Sequence, residues 1–186
     1  ILEGMSGRPG HIYELEHIGF DNQFNAACEL IDNYPCEIHA ITGNHDLWYK
    51  QKADIGINVG VRLAKELANY NHLGDHEADV MVGNVKVKLW HGGDGASYAA
   101  SYRGQKIIES FSGGEKPHVL LTGHDHKALF QDYRNVQHIG AGTLCGQSGF
   151  MRGKRLSAHE GFWIIDVWQD AEGLSRIRPE WFKLYR

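Results

Sequence analysis

No stretch of the 186-residue chain approaches the 18 or more apolar residues of a membrane-spanning helix. The start, Ile1-Leu2-Glu3-Gly4, lacks the basic segment and apolar core of a secretory signal. Cysteine is limited to Cys28, Cys36 and Cys145, which cannot all pair within one chain and form no CxxC motif. A disulfide framework is therefore excluded, and a reduced, cytoplasmic setting without a membrane partner is expected. Charge of one sign is also missing. Nineteen Lys and Arg face 23 Asp and Glu, a net charge of −4, which disfavours coating nucleic acid by bulk charge. There is no internal repeat, no linker and no low-complexity tract. Hydrophobic residues make up 42%, so disorder is not expected. The length suits a single domain over residues 1–186 that needs no disulfide or metal merely to fold.

Two residue types are abundant: glycine, with 23 residues against a typical ~7%, and histidine, with 12. Residues 1–20 are glycine-rich and read as an extended loop. Phe24, Ala27, Cys28, Ile31 and Tyr34 recur at helical steps, predicting a helix over 22–34 with Asp21 as its N-cap and Pro35 as its stop. Residues 37–42 read as a buried strand. A second helix is expected over 57–69, with Val61, Leu63, Ala64, Leu67 and Ala68 facing inward. Residues 79–90 form a hairpin about Gly83-Asn84. A helix over 97–111 follows, despite Gly104. Residues 118–122 form another strand, 129–139 a hairpin, 140–161 an irregular glycine-rich loop, and 161–169 with 174–185 two aromatic-rich strands. Strands alternating with helices early and hairpins late predict a layered α/β sandwich.

Three of these strands end in polar, glycine-flanked groups: Gly43-Asn44-His45-Asp46, His91-Gly92-Gly93-Asp94 and Gly123-His124-Asp125-His126. Ligands of open α/β sheets gather at the carboxyl ends of strands. His124 and His126 are two apart and in an extended segment would face one side. Imidazole suits Zn, Fe, Ni and Mn. Asn44 offers a neutral oxygen, His45 a proton, and Asp46 a hydrogen bond to the second nitrogen of His45.

Taken in order over residues 1–140, GNHD, HG and GHDH resemble the motifs of the calcineurin-like metallophosphoesterases. The resemblance implies a metallophosphoesterase-type β-sandwich, two mixed sheets flanked by helices. It also implies a hydrolase that cleaves a phosphate mono- or diester with two divalent transition-metal ions (Mn, Fe, Zn or Ni) and a metal-activated water. Asn44, His91 and His124 would ligate one ion and His126 the other. His45 would protonate the leaving group, Asp46 would orient it, and Asp125 would take no metal role. The substrate would be a phosphate ester, with nucleic acid possible but not favoured.

The sequence also departs from the family. Its opening Asp-x-His and Gly-Asp-x-x-Asp/Glu motifs do not occur in full in these residues, and Ile1-Leu2-Glu3-Gly4 looks like the tail of the second, with Glu3 at its last acidic position. The domain is thus expected to lack its N-terminal strands, and this piece alone is expected to be inactive or weak, because paired cations need a bridging carboxylate. Two other readings remain open: a metallophosphoesterase fold serving as an accessory binding module, and a mononuclear zinc site on His91, His124 and His126. Arg8, Arg103 and Arg152 are candidate substrate-phosphate contacts. Their plain alternative is a solvated surface charge. Of the remaining histidines, His11 and His159 are the candidates for lying near the site. The C-terminal aromatics are expected to pack sheets.

Overall fold

The computed structural model describes residues 1–5, 10–51, 56–93 and 99–184. The chain divides into two compact units, Ile1–Ala78 and Asp79–Arg186. Arg8, Asp94 and Tyr185 lie outside the described residues.

The first unit runs through a 3-10 turn at His11–Glu14, then α1 (Phe20–Asp32), β1 (Ile38–Thr42), α2 (Trp48–Gln51), α3 (Val59–Glu66) and β2 (Tyr70–Asp75). The turn interrupts what reads as a continuous loop. Gly19, not Asp21, is the N-cap of α1. Asp21 sits in the first turn instead, where its carboxylate complements the positive end of the helix. Asn58 caps α3 by accepting from the Val61 amide at 3.1 Å, and α3 ends earlier than its apolar pattern suggests. Leu63 and Leu67 are buried as expected, but Val61, Ala64 and Ala68 are exposed. The inner face is instead Val59, Gly60 and Leu63. The core gathers Leu2, Phe24, Ala27, Tyr49, Val59, Leu63, Leu67 and Tyr70.

β2, reading YNHLGD, has almost no apolar signal and is not foreseen by the sequence. It is a strand because it pairs in parallel with β1, from Ile38 opposite Tyr70 to Thr42 opposite Asp75. Ladder hydrogen bonds from a distant partner here override weak local propensity.

The second unit is a layered sandwich. A five-stranded sheet has the order β3-β4-β5-β7-β6, with β3 at Glu77–Val82, β4 at Val85–Trp90, β5 at Val119–Thr122, β6 at Ala128–Tyr133 and β7 at Val136–Ala141. β5 runs parallel to both β4 and β7, and β6 is antiparallel to β7, so the sheet is mixed. Successive side chains of a strand point to opposite faces. Val119 accordingly joins Val85, Val87 and Ile139 on one face, packed by Trp163, Ile165, Leu174 and Ile177 of the antiparallel hairpin β8 (Gly161–Asp170) and β9 (Gly173–Lys183). Leu120 faces the other way and packs with Val136 and Ile108 of α4 (Tyr102–Ser110). Apolar side chains on both faces of β5 are the mark of a strand buried between layers. The α/β class is therefore as expected, with a central mixed sheet covered by a hairpin and a helix.

Gly104 lies inside α4, and a Cβ there would stand 2.1 Å from Cε1 of His138. The helix tolerates a poor helix former because only hydrogen fits against that imidazole. One short helix, α5 (Gly149–Gly153), lies within the region expected to be irregular. Trp163 and Trp181 pack together, whereas Phe162, Trp168 and Phe182 remain partly exposed on the hairpin. Sheet packing thus accounts for only some of those aromatics.

Candidate functional site

In the first unit, β1 delivers Thr42 and then the Gly43–Asp46 loop. Asp46 is 2% exposed. Its carboxylate accepts from the main-chain nitrogens of Leu2 at 2.7 Å, Gly43 at 3.0 Å and Ile1 at 2.9 Å. With its oxygens committed to backbone groups, Asp46 is not the hydrogen-bond partner of His45, contrary to expectation.

That partner is Glu3. The Nδ1 of His45 lies 2.8 Å from the Glu3 carbonyl and 3.4 Å from its carboxylate. A carbonyl can only accept, so Nδ1 carries the hydrogen and Nε2 is the atom that gains or loses the exchangeable proton. The Glu3 hydrogen bond raises the pKa of His45, with burial opposing it. The same contact lowers that of Glu3, helped by the buried His11, whose Nε2 lies 3.3 Å from the Glu3 carboxylate. The position of Glu3 in a motif tail is legible in the sequence, but its contact with an imidazole 42 residues away is not. Beneath this loop, Thr42 donates to Asp75 at 2.6 Å, joined by Lys50 at 2.7 Å and Asn58 at 3.2 Å. Burial pushes the Asp75 carboxyl up, but these three donors outweigh it and hold the pKa down to about 2.

In the second unit, neighbouring strands β4 and β5 deliver His91 and His124. Their rings meet edge-to-face with centroids 5.0 Å apart. Gly92 makes this approach possible. Its φ is +93°, and a Cβ there would meet the Cβ of His124 at 3.1 Å and the Gly123 carbonyl at 3.2 Å. The segment after β5 is not extended. His124 and His126 both adopt left-handed backbone, φ 72° and 54°, because the chain reverses there: the Asp125 amide reaches back to the Gly123 carbonyl at 2.9 Å. Strict two-residue alternation therefore does not govern where these imidazoles point. Left-handed non-glycine residues cost energy and cluster at functional loops.

Arg103, a candidate phosphate contact, is engaged within the protein. It pairs with Asp125 at 2.6 Å, donates to the Gly93 carbonyl and sits over the Trp90 ring. It thus ties the loop after β4 to the loop after β5. Asp125, given no metal role from sequence, is the acidic partner in that tie. His126, Asp125, Arg103, Thr122 and His138 line a small cavity of about 20 Å³, room for about one water. His138 is 2% exposed. Its Nδ1 accepts from the Gln131 amide at 2.9 Å, so its Nε2–H donates to the Thr122 hydroxyl at 2.9 Å. Burial lowers its pKa to about 4. His159, the other imidazole considered for the site, accepts from the Ala128 amide at 3.0 Å. Arg152 is exposed in the last turn of α5.

Among the described residues, no group of three or more His, Cys, Asp or Glu side chains is gathered to hold a metal ion. His91 and His124 are imidazole neighbours in an edge-to-face contact, and among the described residues no third His, Cys, Asp or Glu is gathered with them.

Comparison with known proteins gives one family. The calcineurin-like phosphoesterase superfamily domain matches residues 10–168. No curated protein matches the chain. Among solved structures, the chain is similar to an archaeal phosphodiesterase at 18% identity and TM-score 0.47, covering 84% of this chain and 76% of the other. It is also similar to a Vps29 single mutant from Entamoeba histolytica at 14% identity and TM-score 0.44, covering 86% and 89%. Vps29 of Chaetomium thermophilum is more distant, at 11% identity and TM-score 0.37, covering 67% and 73%.

Proposed function

The chain belongs to the calcineurin-like phosphoesterase superfamily, and from that premise we propose that it is a metal-dependent phosphoester hydrolase, acting on a phosphate mono- or diester in the cytoplasm. The observation that carries the reading is the His91–His124 pair at the ends of adjacent parallel strands. We assign these two imidazoles, with His126 and Asn44, to two divalent transition-metal ions. Such ions supply an activated water and neutralise phosphate charge.

The roles of the chain's own residues follow from their contacts. His45 holds its Nδ1 hydrogen on Glu3 and is the acid that gives a proton from Nε2 to the departing oxygen. Glu3, by raising the His45 pKa, enlarges the protonated fraction near neutrality. Asp46 fixes the loop through main-chain amides and acts on His45 only by holding that loop. Arg103 holds the loops that carry His91 and His124.

The test is a manganese titration of the protein with metal content measured alongside hydrolysis of p-nitrophenyl phosphate and its bis-ester. The expected outcome is metal uptake with weak turnover, since residues 1–186 carry neither acidic motif that would complete a two-ion site, and a fall of both in His124→Ala by more than the ~10–100-fold cost of an outer-shell change. Uptake of a single ion without turnover would favour the mononuclear site. No uptake and no turnover would overturn the assignment in favour of an accessory binding module.

A further inference from the structure

The end of α5 and the turn after it hold three cations in four positions, Arg152, Lys154 and Arg155. Among the described residues, none of the three has a carboxylate at ion-pair distance. Some cations elsewhere are paired, among them Lys50 with Asp75, Lys88 with Asp79 and Arg178 with Asp166. Leaving three like charges together without a counter-charge is unfavourable, and a bound anion would relieve it.

The cations are also presented on an ordered frame. Gln147 donates its amide to the Leu156 carbonyl and closes the segment across nine residues. Ser148 caps the Met151 amide at 3.2 Å, and the Leu156 amide returns to the Met151 carbonyl at 2.9 Å. Met151 is buried and anchors the turn. Arg155 is held at φ 56°, a left-handed position that favours glycine or asparagine. A long cation at such a position points to a use for its side chain. Arg152 and Arg155 line one open cleft of about 410 Å³ together with the side chains of Gln147, Leu156 and Ser157. That volume lies within the ~300–1,000 Å³ of small-ligand sites.

We propose that this cleft is an oxyanion-binding subsite that takes a phosphate group through the guanidinium forks of Arg152 and Arg155, with the Ser157 hydroxyl as an additional donor. Guanidinium matches a phosphate with two parallel hydrogen bonds, which a lysine cannot do. The subsite rests on residues of the second unit alone. Its role as a contact for a second phosphate of the substrate rests on the hydrolase reading above.

The test is calorimetric titration of the protein with inorganic pyrophosphate at low salt. Wild type is expected to bind. The double variant Arg152→Gln/Arg155→Gln is expected to bind roughly tenfold or more weakly, and Arg152→Lys/Arg155→Lys to fall between the two. Arg62→Gln, in the first unit, should bind like wild type. Circular dichroism of each variant separates loss of binding from loss of folding, and the lysine pair preserves charge should the glutamine pair fail to fold. Equal binding by wild type and both double variants would overturn the proposal, as would loss of binding in His124→Ala with none in the arginine variants. Arginine-dependent binding without any phosphatase activity would leave the subsite standing and count against the hydrolase reading. If pyrophosphate also raises the apparent KM of a phosphate ester in wild type only, the bound group is a phosphate of the substrate. If it binds without that effect, the subsite serves a separate phosphate ligand.

Discussion

The two units use the same short sequence, threonine then glycine, to end a strand, and they stabilise it by opposite electrostatics. At the end of β1, Thr42 donates to the carboxylate of Asp75, whose charge is matched by Lys50 and the Asn58 amide. At the end of β5, Thr122 accepts from a neutral imidazole, His138, which is itself held by Gln131. The first network is centred on an ion with a partner. The second excludes charge, because a protonated His138 would turn a second N–H donor toward the Gln131 amide in a buried setting. One local pattern thus supports two solutions, chosen by what the neighbouring strand brings alongside.

The largest expected effect is that the two units respond to acid in different windows. The pKa of His138 is about 4 in the folded protein against an ordinary 6.5. Between those values the unfolded chain binds the proton and the folded one does not, so stability falls as pH drops through that window and is level above it. The full loss is about 3 kcal/mol, at ~1.4 kcal/mol for each pH unit the window spans. Asp75, lowered from 3.8 to about 2, contributes stability that is complete above its unfolded value and is lost only as pH falls from 3.8 toward 2. Hydrogen exchange followed residue by residue should show amides of β5 and β7 losing protection first, and those of β1 and β2 only in stronger acid. Simultaneous loss in both units would break the comparison.

A smaller effect is expected from Gly104→Ala. Its methyl group would be forced against the buried His138 ring, costing about 2 kcal/mol of the second unit's stability, within the usual range for overpacking. Urea unfolding read from the tryptophans of β8 and β9 would measure it, and a stabilised variant would show that the imidazole has room to move. Smallest of the three is Lys50→Gln. Because the lysine side chain is 43% exposed, removing it should cost less than about 1 kcal/mol and move the Asp75 acid transition upward, leaving the His138 window where it is. A change in both windows would mean that the two networks are not independent.

Legibility varied with the range of the interaction. β5 is readable because it is a short run of apolar residues followed by a glycine, β1 nearly so, and β4 is readable from its alternation after Gly83-Asn84. The hairpins were readable from turn residues between alternating runs. β2 was not, since Asn71, His72, Gly74 and Asp75 favour turns until a parallel neighbour supplies their hydrogen bonds. The inner face of α3 differs from the apolar pattern because alanine and valine match either side of a short helix, and packing in one cluster with Tyr70 and Phe24 settles the rotation. In the candidate site, the three motifs were visible as residue types at strand ends. The partner of His45, the left-handed turns at His124 and His126, and the use of Arg103 as a tie between loops had no local signal.

The sequence by itself determined the strand-end motifs, the α/β class and membership of the superfamily, because these rest on residue types and spacings within a few positions. Tertiary structure alone decided which carboxylate meets which imidazole, that Asp46 serves the backbone while Glu3 serves His45, and that Arg152 and Arg155 share a cleft. The physical reason is that a hydrogen bond or ion pair is selected by distance and desolvation in the folded chain, and a buried carboxylate takes whichever donors the packing places beside it.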